Sequence, residues 1–325
     1  MAPGILSSGG VTESGLTTRP TLYVLDTFRP EVITYCQRHF NTILPGTKEH
    51  QEWRQKSRYL LVRSSTLTAK DIESCPNLLA IGKQGVGIDR IDAAACSTRG
   101  IKIFNTPGVN SRAVAEMVLS LTTAVARQVG RITTRQAMGN LVPKETCSGL
   151  ILHQKTLGVV GMGNIGKIVA QMFRGAFEAS IVAYDPFLPA DAWSDTPHRR
   201  VGSIEDILRE SDIVTLHIPR TESTINLISL LQFKIMKRTA ILINAARGGI
   251  VNESDLETAL SEGLIWGAGL DCHEQEPPSK ERYGRLWRLG VVSTPHIGAA
   301  TAQTQIETGM AAAKQLAEYA YMKEL

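Results

Sequence analysis

The residues best placed for chemistry are three glycines, Gly161, Gly163 and Gly166, in the run G-M-G-N-I-G, followed by an acid, Asp185. The run closes the apolar stretch Leu157 to Val160 and opens one in which Ile165, Ile168, Val169, Met172 and Phe173 recur at helical spacing. Strand, tight turn and helix in that order make a cradle for phosphate. Gly161 permits the turn, Gly163 lets the backbone approach a pyrophosphate, and Gly166 lets the helix lie close on the strand. Free backbone N–H groups near Asn164 and Ile165 then meet the anion, with the positive end of the helix dipole behind them. Asp185 stands about 20 residues on, where an acid accepts both adenosine-ribose hydroxyls and repels a 2′-phosphate. The next residues, Pro186 and Phe187, bring no cation, so NAD is the expected cofactor rather than NADP. Arg199 and Arg200 lie near enough in sequence to bear on that choice.

Six strand candidates position this turn: TLGVVGMG, SIVAYD, DIVTLHI, AILINAA, IWGAGLDC and VVSTPH. Six is the number a dinucleotide-binding sheet needs. Before them, TLYVLD, RYLLVRS, LLAIGKQG and IKIFNT alternate with helix-like stretches such as PEVITYCQRHF and IDAAACSTRG, which predicts a small parallel α/β domain. A helix is predicted from Ser111 to Arg127, capped by Asn110 or Ser111, and it carries more apolar surface than one packed face needs. Residues 130–154 read as a helix and an extended connection, and the chain closes on a helix after His296 with no strand behind it.

Composition bounds the rest. The 325 residues are 43% hydrophobic and 20% charged, which excludes a disordered or fibrous chain and predicts two domains rather than one large core. The net charge of +4 is spread without a basic arm, so nucleic acid is not an expected partner. No apolar run reaches the roughly 18 to 20 residues of a membrane span. The five cysteines (Cys36, Cys75, Cys96, Cys147 and Cys272) are scattered and never in a CxxC pair, which predicts reduced thiols in the cytoplasm and no metal site.

From Tyr59 to Thr308 the chain resembles the D-isomer specific 2-hydroxyacid dehydrogenases, most closely their 3-phosphoglycerate dehydrogenase branch. The resemblance rests on VRSSTLTA, GVGIDRID, NTPGVNSRAVAEMVL, KTLGVVGMGNIG, LHIPRTEST, NAARGGIVNESDL, GLDCHEQEPP and STPHIGAAT, in that order. It implies an α/β fold in which a Rossmann dinucleotide-binding domain, residues 108–295, is inserted into a smaller flavodoxin-like α/β substrate domain. Residues 19–107 and 296–325 make up that second domain, after a flexible tail, residues 1–18. It further implies NAD-dependent hydride transfer at C2 of a 2-hydroxy acid, with 3-phosphoglycerate favoured. Hydroxypyruvate or glyoxylate reduction is the alternative, and an NAD-sensing corepressor-like binding protein is one of another class. A two-fold homodimer is implied through the region of the Ser111–Arg127 helix. With one helix after the core, a serine-responsive regulatory domain is not expected.

The resemblance places the catalytic trio at Arg247, Glu276 and His296. Arg247 offers a planar fork of donors to a carboxylate and the adjacent carbonyl oxygen. His296 moves the proton, and Glu276 fixes its ring and favours the charged imidazolium. Around the nicotinamide and ribose it places His217, Pro219, Thr224, Ala245, Asp271, Gly298 and Ala299. The backbone of Gly85, Val86 and Gly87 is matched to a substrate carboxylate, and Arg63 and Lys83, at adjacent strand ends, to a phosphate. Four residues depart from the family: Met117 for His, Lys83 for Arg, and Cys272-His273 for Val-Phe. His273 is expected on the surface of its loop, with some capacity to compete for Glu276.

Overall fold

Strands buried on both faces read as unbroken apolar runs, and such strands belong to parallel sheets covered by helices. The computed structural model, which describes residues 19–324, shows two such sheets. The tail at 1–18 lies outside the described residues. The first sheet contains β1 (Thr21–Val24), β2 (Asn41–Ile43), β3 (Tyr59–Val62), β4 (Ala80–Lys83) and β5 (Lys102–Phe104). Its order is β2-β1-β3-β4-β5, all parallel, the flavodoxin-like order. Alternation along β1 sends Leu22 and Val24 to a core under the helices Pro30–His39 and Ala302–Glu324, and Tyr23 to a second core on the other face.

The second sheet holds β6 (Thr156–Val160), β7 (Ser180–Tyr184), β8 (Arg199–Arg200), β9 (Ile213–Leu216), β10 (Ile241–Asn244), β11 (Gly267–Leu270) and β12 (Val292–Ser293). Its order, β12-β11-β10-β9-β6-β7-β8, reverses direction between β6 and β9, the switch point at which dinucleotides bind in such sheets. Leu157, Val159, Ile181 and Ile243 face the helices Ser111–Ala126 and Asn164–Phe177, while Val160, Val214, Leu216 and Leu242 face the opposite core.

Two edge strands, β2 and β8, were not predicted, because Asn-Thr-Ile and Arg-Arg write no apolar run. The Ser111–Ala126 helix starts without the expected side-chain cap: Asn110 makes no capping bond and Ser111 is already helical and buried. Most of its apolar residues are absorbed by the core, and the exposed apolar side chains lie beyond it, at Val129, Met138, Leu141 and Ile151. The chain divides into two compact units, of which the second is Asn110–Thr301. The junctions fall a few residues after the expected 107 and 295, and at the second of them bonds to Asp271 tie Thr294, Ile297 and Gly298 to the second unit. No described helix is long and apolar enough to cross a membrane.

Candidate active site

The glycine turn follows β6. Gly161 has φ +96°, and a Cβ there would meet the His217 carbonyl oxygen at 2.4 Å, so both conformation and space demand glycine. A Cβ on Gly166 would lie 2.3 Å from the Gly161 carbonyl oxygen. Gly163, directly before the helix Asn164–Phe177, has open space where its Cβ would stand and no side chain to cap the first-turn N–H groups of Asn164 and Ile165. Asp185, at the end of β7, locks the turn: its Oδ2 accepts from the Met162 N–H at 2.9 Å, and its Oδ1 accepts from Phe187 and Leu188 at 2.9 and 3.3 Å. Trp193, which the sequence did not single out, donates its indole N–H to the Met162 carbonyl at 2.7 Å.

Both nearby arginines are engaged. Arg199 pairs with Glu210, and Arg200 donates to the backbone carbonyls of Asp185, Leu188 and Pro189. His217, after β9, bonds Thr215 Oγ1 through Nε2 at 3.0 Å, while its buried Nδ1 has no partner among the described residues. Burial pushes this imidazole down to about 3, so it is neutral at neutral pH. Open space at Gly163, an uncapped helix start, an acid at the ribose position and an orphaned ring nitrogen beside the turn all fit NAD. Pro219 and Thr224 belong to one knitted loop, with the Thr224 hydroxyl donating to the Pro219 carbonyl at 2.8 Å.

The ends of β10, β11 and β12, adjacent and parallel, carry the trio. Asn244, buried at the end of β10, accepts from the Ala246 N–H at 3.1 Å and donates to the Arg247 carbonyl at 2.9 Å, shaping the turn that follows buried Ala245 and presents half-buried Arg247. A Cβ on Gly248 would overlap the His273 carbonyl oxygen at 1.7 Å, so this turn sits directly on the loop after β11. That loop is held in turn: Glu274 donates its N–H to Glu253 Oε1 at 2.8 Å, and Gln275 donates its own to the Tyr283 hydroxyl at 2.9 Å.

His296 and Glu276 meet. The imidazole Nδ1 lies 3.0 Å from both Glu276 carboxylate oxygens. An ionised carboxylate only accepts, so Nδ1 carries the proton and Nε2 is left for chemistry. Burial raises the Glu276 carboxyl, but the bond and charge of His296 and the His273 N–H outweigh it and hold the group below the usual carboxylate range. His296 takes φ +57°, a left-handed conformation that only firm neighbours sustain. Asp271 supplies them. Its backbone carbonyl accepts the His296 N–H at 2.7 Å, and its fully buried carboxylate accepts from the Thr294 hydroxyl and the N–H groups of Ile297 and Gly298 at 2.7 to 2.8 Å. A Cβ on Gly298 would crowd that carboxylate at 2.8 Å; Ala299 follows, half-buried.

His273 corrects the expectation of a surface residue. It is 3% exposed, packs edge-on against Tyr283, and bonds Ser293 Oγ through Nε2 at 2.8 Å. Its ring does not compete for Glu276; its backbone N–H supports that carboxylate at 3.2 Å.

In the first unit, β3 and β4 pair through Val62 and Lys83, so Arg63 and Lys83 do stand at adjacent strand ends. They differ in exposure: Arg63 is open to solvent, whereas Lys83 is 8% exposed and donates to the Gln84 carbonyl at 2.6 Å. Asp26, after β1, was missed by sequence reasoning; its carboxylate accepts the N–H groups of Arg63, Ser64 and Ser65. Asn105 and Thr106 fix the 85–87 loop: Asn105 Nδ2 donates to the Val86 carbonyl at 2.7 Å and Thr106 Oγ1 accepts the Gly85 N–H at 3.0 Å. Gly87 is half-buried beside exposed Val86.

A glycine turn at the switch point of one parallel sheet, with a histidine–carboxylate pair and an arginine on its later strand ends, defines a dinucleotide-binding protein equipped for acid–base chemistry. The chain belongs to the D-isomer specific 2-hydroxyacid dehydrogenase family, whose NAD binding domain model matches residues 119–298. It is 41% identical over 253 residues to a hydroxypyruvate reductase of Thermotoga maritima, covering 77% of this chain and 81% of that one. It is 38% identical over 258 residues to a D-3-phosphoglycerate dehydrogenase of Methanocaldococcus jannaschii, covering 79% of this chain and 48% of that one. The match thus spans about half the length of the phosphoglycerate dehydrogenase. A solved D-lactate dehydrogenase of Aquifex aeolicus, complexed with NAD and lactic acid, superposes with a TM-score of 0.79 at 25% identity, over 94% of this chain and 96% of that one.

Proposed function

We propose that the chain is an NAD-dependent D-2-hydroxyacid dehydrogenase, with 3-phosphoglycerate and 3-phosphohydroxypyruvate as its substrate pair. The observation that carries the dehydrogenase reading is the His296–Glu276 pair at 3.0 Å, on strand ends of the sheet that bears the glycine turn. In oxidation, the Arg247 fork grips the substrate carboxylate and the C2 oxygen. His296 Nε2 takes the C2 hydroxyl proton, and Glu276 offsets the imidazolium that forms. The C2–H bond breaks with its electron pair; NAD, when bound, supplies the hydride acceptor. Reduction runs the same steps backwards. Asp185 receives the adenosine-ribose hydroxyls, and NAD is favoured over NADP because Arg199 is paired with Glu210 and the Arg200 guanidinium is taken up by the backbone carbonyls of Asp185, Leu188 and Pro189.

The phosphate preference rests on Arg63 and Lys83, and on the name of the Methanocaldococcus relative. Hydroxypyruvate, named for the Thermotoga relative, is the unphosphorylated alternative. Nicotinamide absorbance, followed with phosphohydroxypyruvate, hydroxypyruvate, glyoxylate and pyruvate, decides between them. Failure to turn over any 2-keto acid overturns the dehydrogenase reading. Arg63→Ala is expected to raise the KM for the phosphorylated substrate about 10-fold or more and leave that for hydroxypyruvate unchanged, as loss of a charge-assisted bond worth about 1.5–3 kcal/mol requires. A phosphate preference that survives both Arg63→Ala and Lys83→Ala refutes the site. The five free thiols support a cytoplasmic setting, and we propose a homodimer.

A further inference from the structure

The scattered cysteines conceal a metal-ligand set that only folding assembles. Cys272 leaves β11 directly after Asp271, Glu276 lies four residues on, and His296 arrives from the end of β12. One ligand atom from each, thiol sulfur, carboxylate oxygen and imidazole nitrogen, lies within 4.8 Å of the others. We propose that these three residues form an inhibitory site for zinc.

The donor set is what zinc prefers: one sulfur, one nitrogen and one oxygen, with a fourth position left to water. Bond lengths of about 2.0–2.3 Å put tetrahedral ligand atoms about 3.3–3.6 Å apart, so the Nδ1–carboxylate pair at 3.0 Å opens slightly and only the longest separation, within 4.8 Å, closes on binding. Small rotations of the half-exposed His296 and Glu276 side chains supply that movement, since these side chains retain 44% and 26% of their exposure and admit an ion from solvent. Cys272 is 1% exposed and its thiol donates to the Ala246 carbonyl at 3.4 Å. On binding, the thiol proton leaves to solvent, the sulfur–zinc bond forms, and thiolate and carboxylate together neutralise the divalent charge; nothing is oxidised or reduced. Burial, which pushes the Cys272 thiol up, and the Arg247 cation nearby both oppose binding, while the Asp271 and Glu276 carboxylates favour it.

The site overlaps the proposed proton path, so occupancy blocks turnover through either ring nitrogen. Ligation at Nδ1 displaces Glu276 from His296, and ligation at Nε2 occupies the atom that moves the proton. This inhibition rests on the acid–base reading of the pair; the binding itself does not.

The experiment titrates the intact chain with Co²⁺ as a spectroscopic probe and with Zn²⁺ as inhibitor, beside Cys272→Val and Cys272→Ala. The wild type is expected to show a thiolate-to-cobalt charge-transfer band at one ion per chain, and zinc inhibition that a chelator reverses. Both variants lose the band and need at least about 10- to 100-fold more zinc for the same inhibition. Metal-free turnover of the near-isosteric Cys272→Val stays within about twofold of wild type. Absence of the band, or equal zinc inhibition of wild type and both variants, overturns the site. A band in a chain that turns over no 2-keto acid keeps the site and removes the dehydrogenase reading; turnover without a band does the reverse.

Discussion

At the scale of single residues, the proposed chemistry rests on the His296–Glu276 pair, and its two members are expected to fail differently when changed. His296→Ala removes the proposed proton carrier and is expected to cut turnover about 100- to 10,000-fold, while the NAD dissociation constant, measured by fluorescence titration, stays nearly unchanged. A matching loss of NAD binding would contradict the assigned role. Glu276→Gln keeps the shape and loses the charge, so turnover drops about 100-fold. Its stability effect depends on pH in a direction the structure sets. Because folding holds the Glu276 carboxyl below its ordinary value, the ionised carboxylate contributes stability in full above the unfolded carboxylate range, and loses it as pH falls through the lowered folded value. The Tm gap between wild type and Glu276→Gln is therefore widest above the ordinary carboxylate range, about pH 5, and narrows as pH falls below it. A gap that widens on acidification would show that the pair does not hold the carboxylate ionised.

At the scale of elements, a strand end and its turn do the positioning. Asp271 closes β11 and receives three donors on its carboxylate, two on Oδ1 and one on Oδ2. Asp271→Asn leaves one carbonyl oxygen and turns an NH2 group against a backbone N–H, so about 1–3 kcal/mol of stability is lost in urea unfolding. Turnover falls with it, because the left-handed His296 loses its frame. Unchanged stability would mean that the 294–298 turn holds itself. Such roles mark how far the sequence speaks. The glycine turn and Asp185 were legible because strand, turn and helix write periodic signals, and the trio because whole motif blocks carry it. Asn244, Asp26 and Trp193 were not, since each acts through a partner distant in sequence or through backbone groups that leave no compositional trace. His273 read as a loop residue because its burial comes from Tyr283 and Ser293, ten and twenty positions away. The strands β2 and β8 escaped because Asn-Thr-Ile and Arg-Arg form no apolar run, whereas the equally short edges β5 and β12 lie in the apolar runs IKIF and VV.

At the scale of the whole molecule, four of the exposed large apolar side chains fall in one stretch of about twenty residues. Val129, Met138, Leu141 and Ile151 are 50%, 73%, 91% and 72% exposed, and the helix Val129–Ala137 between the first two buries none of its residues. Single exposed apolar side chains are ordinary; several in one stretch around a helix without a buried face are what an interface looks like from one side. The sequence pointed to the preceding helix as the dimer surface, but that helix spends its apolar face on the core beside β10 and β11. If the 129–151 stretch meets its symmetry mate, a two-fold contact doubles every residue in it, so two charges introduced per chain become four across one interface. Met138→Glu with Leu141→Glu is therefore expected to convert a sedimenting dimer to a monomer while leaving the circular dichroism spectrum unchanged, because neither side chain belongs to a core. A wild type that sediments as a monomer refutes the dimer, and a double variant that remains dimeric moves the interface off this stretch.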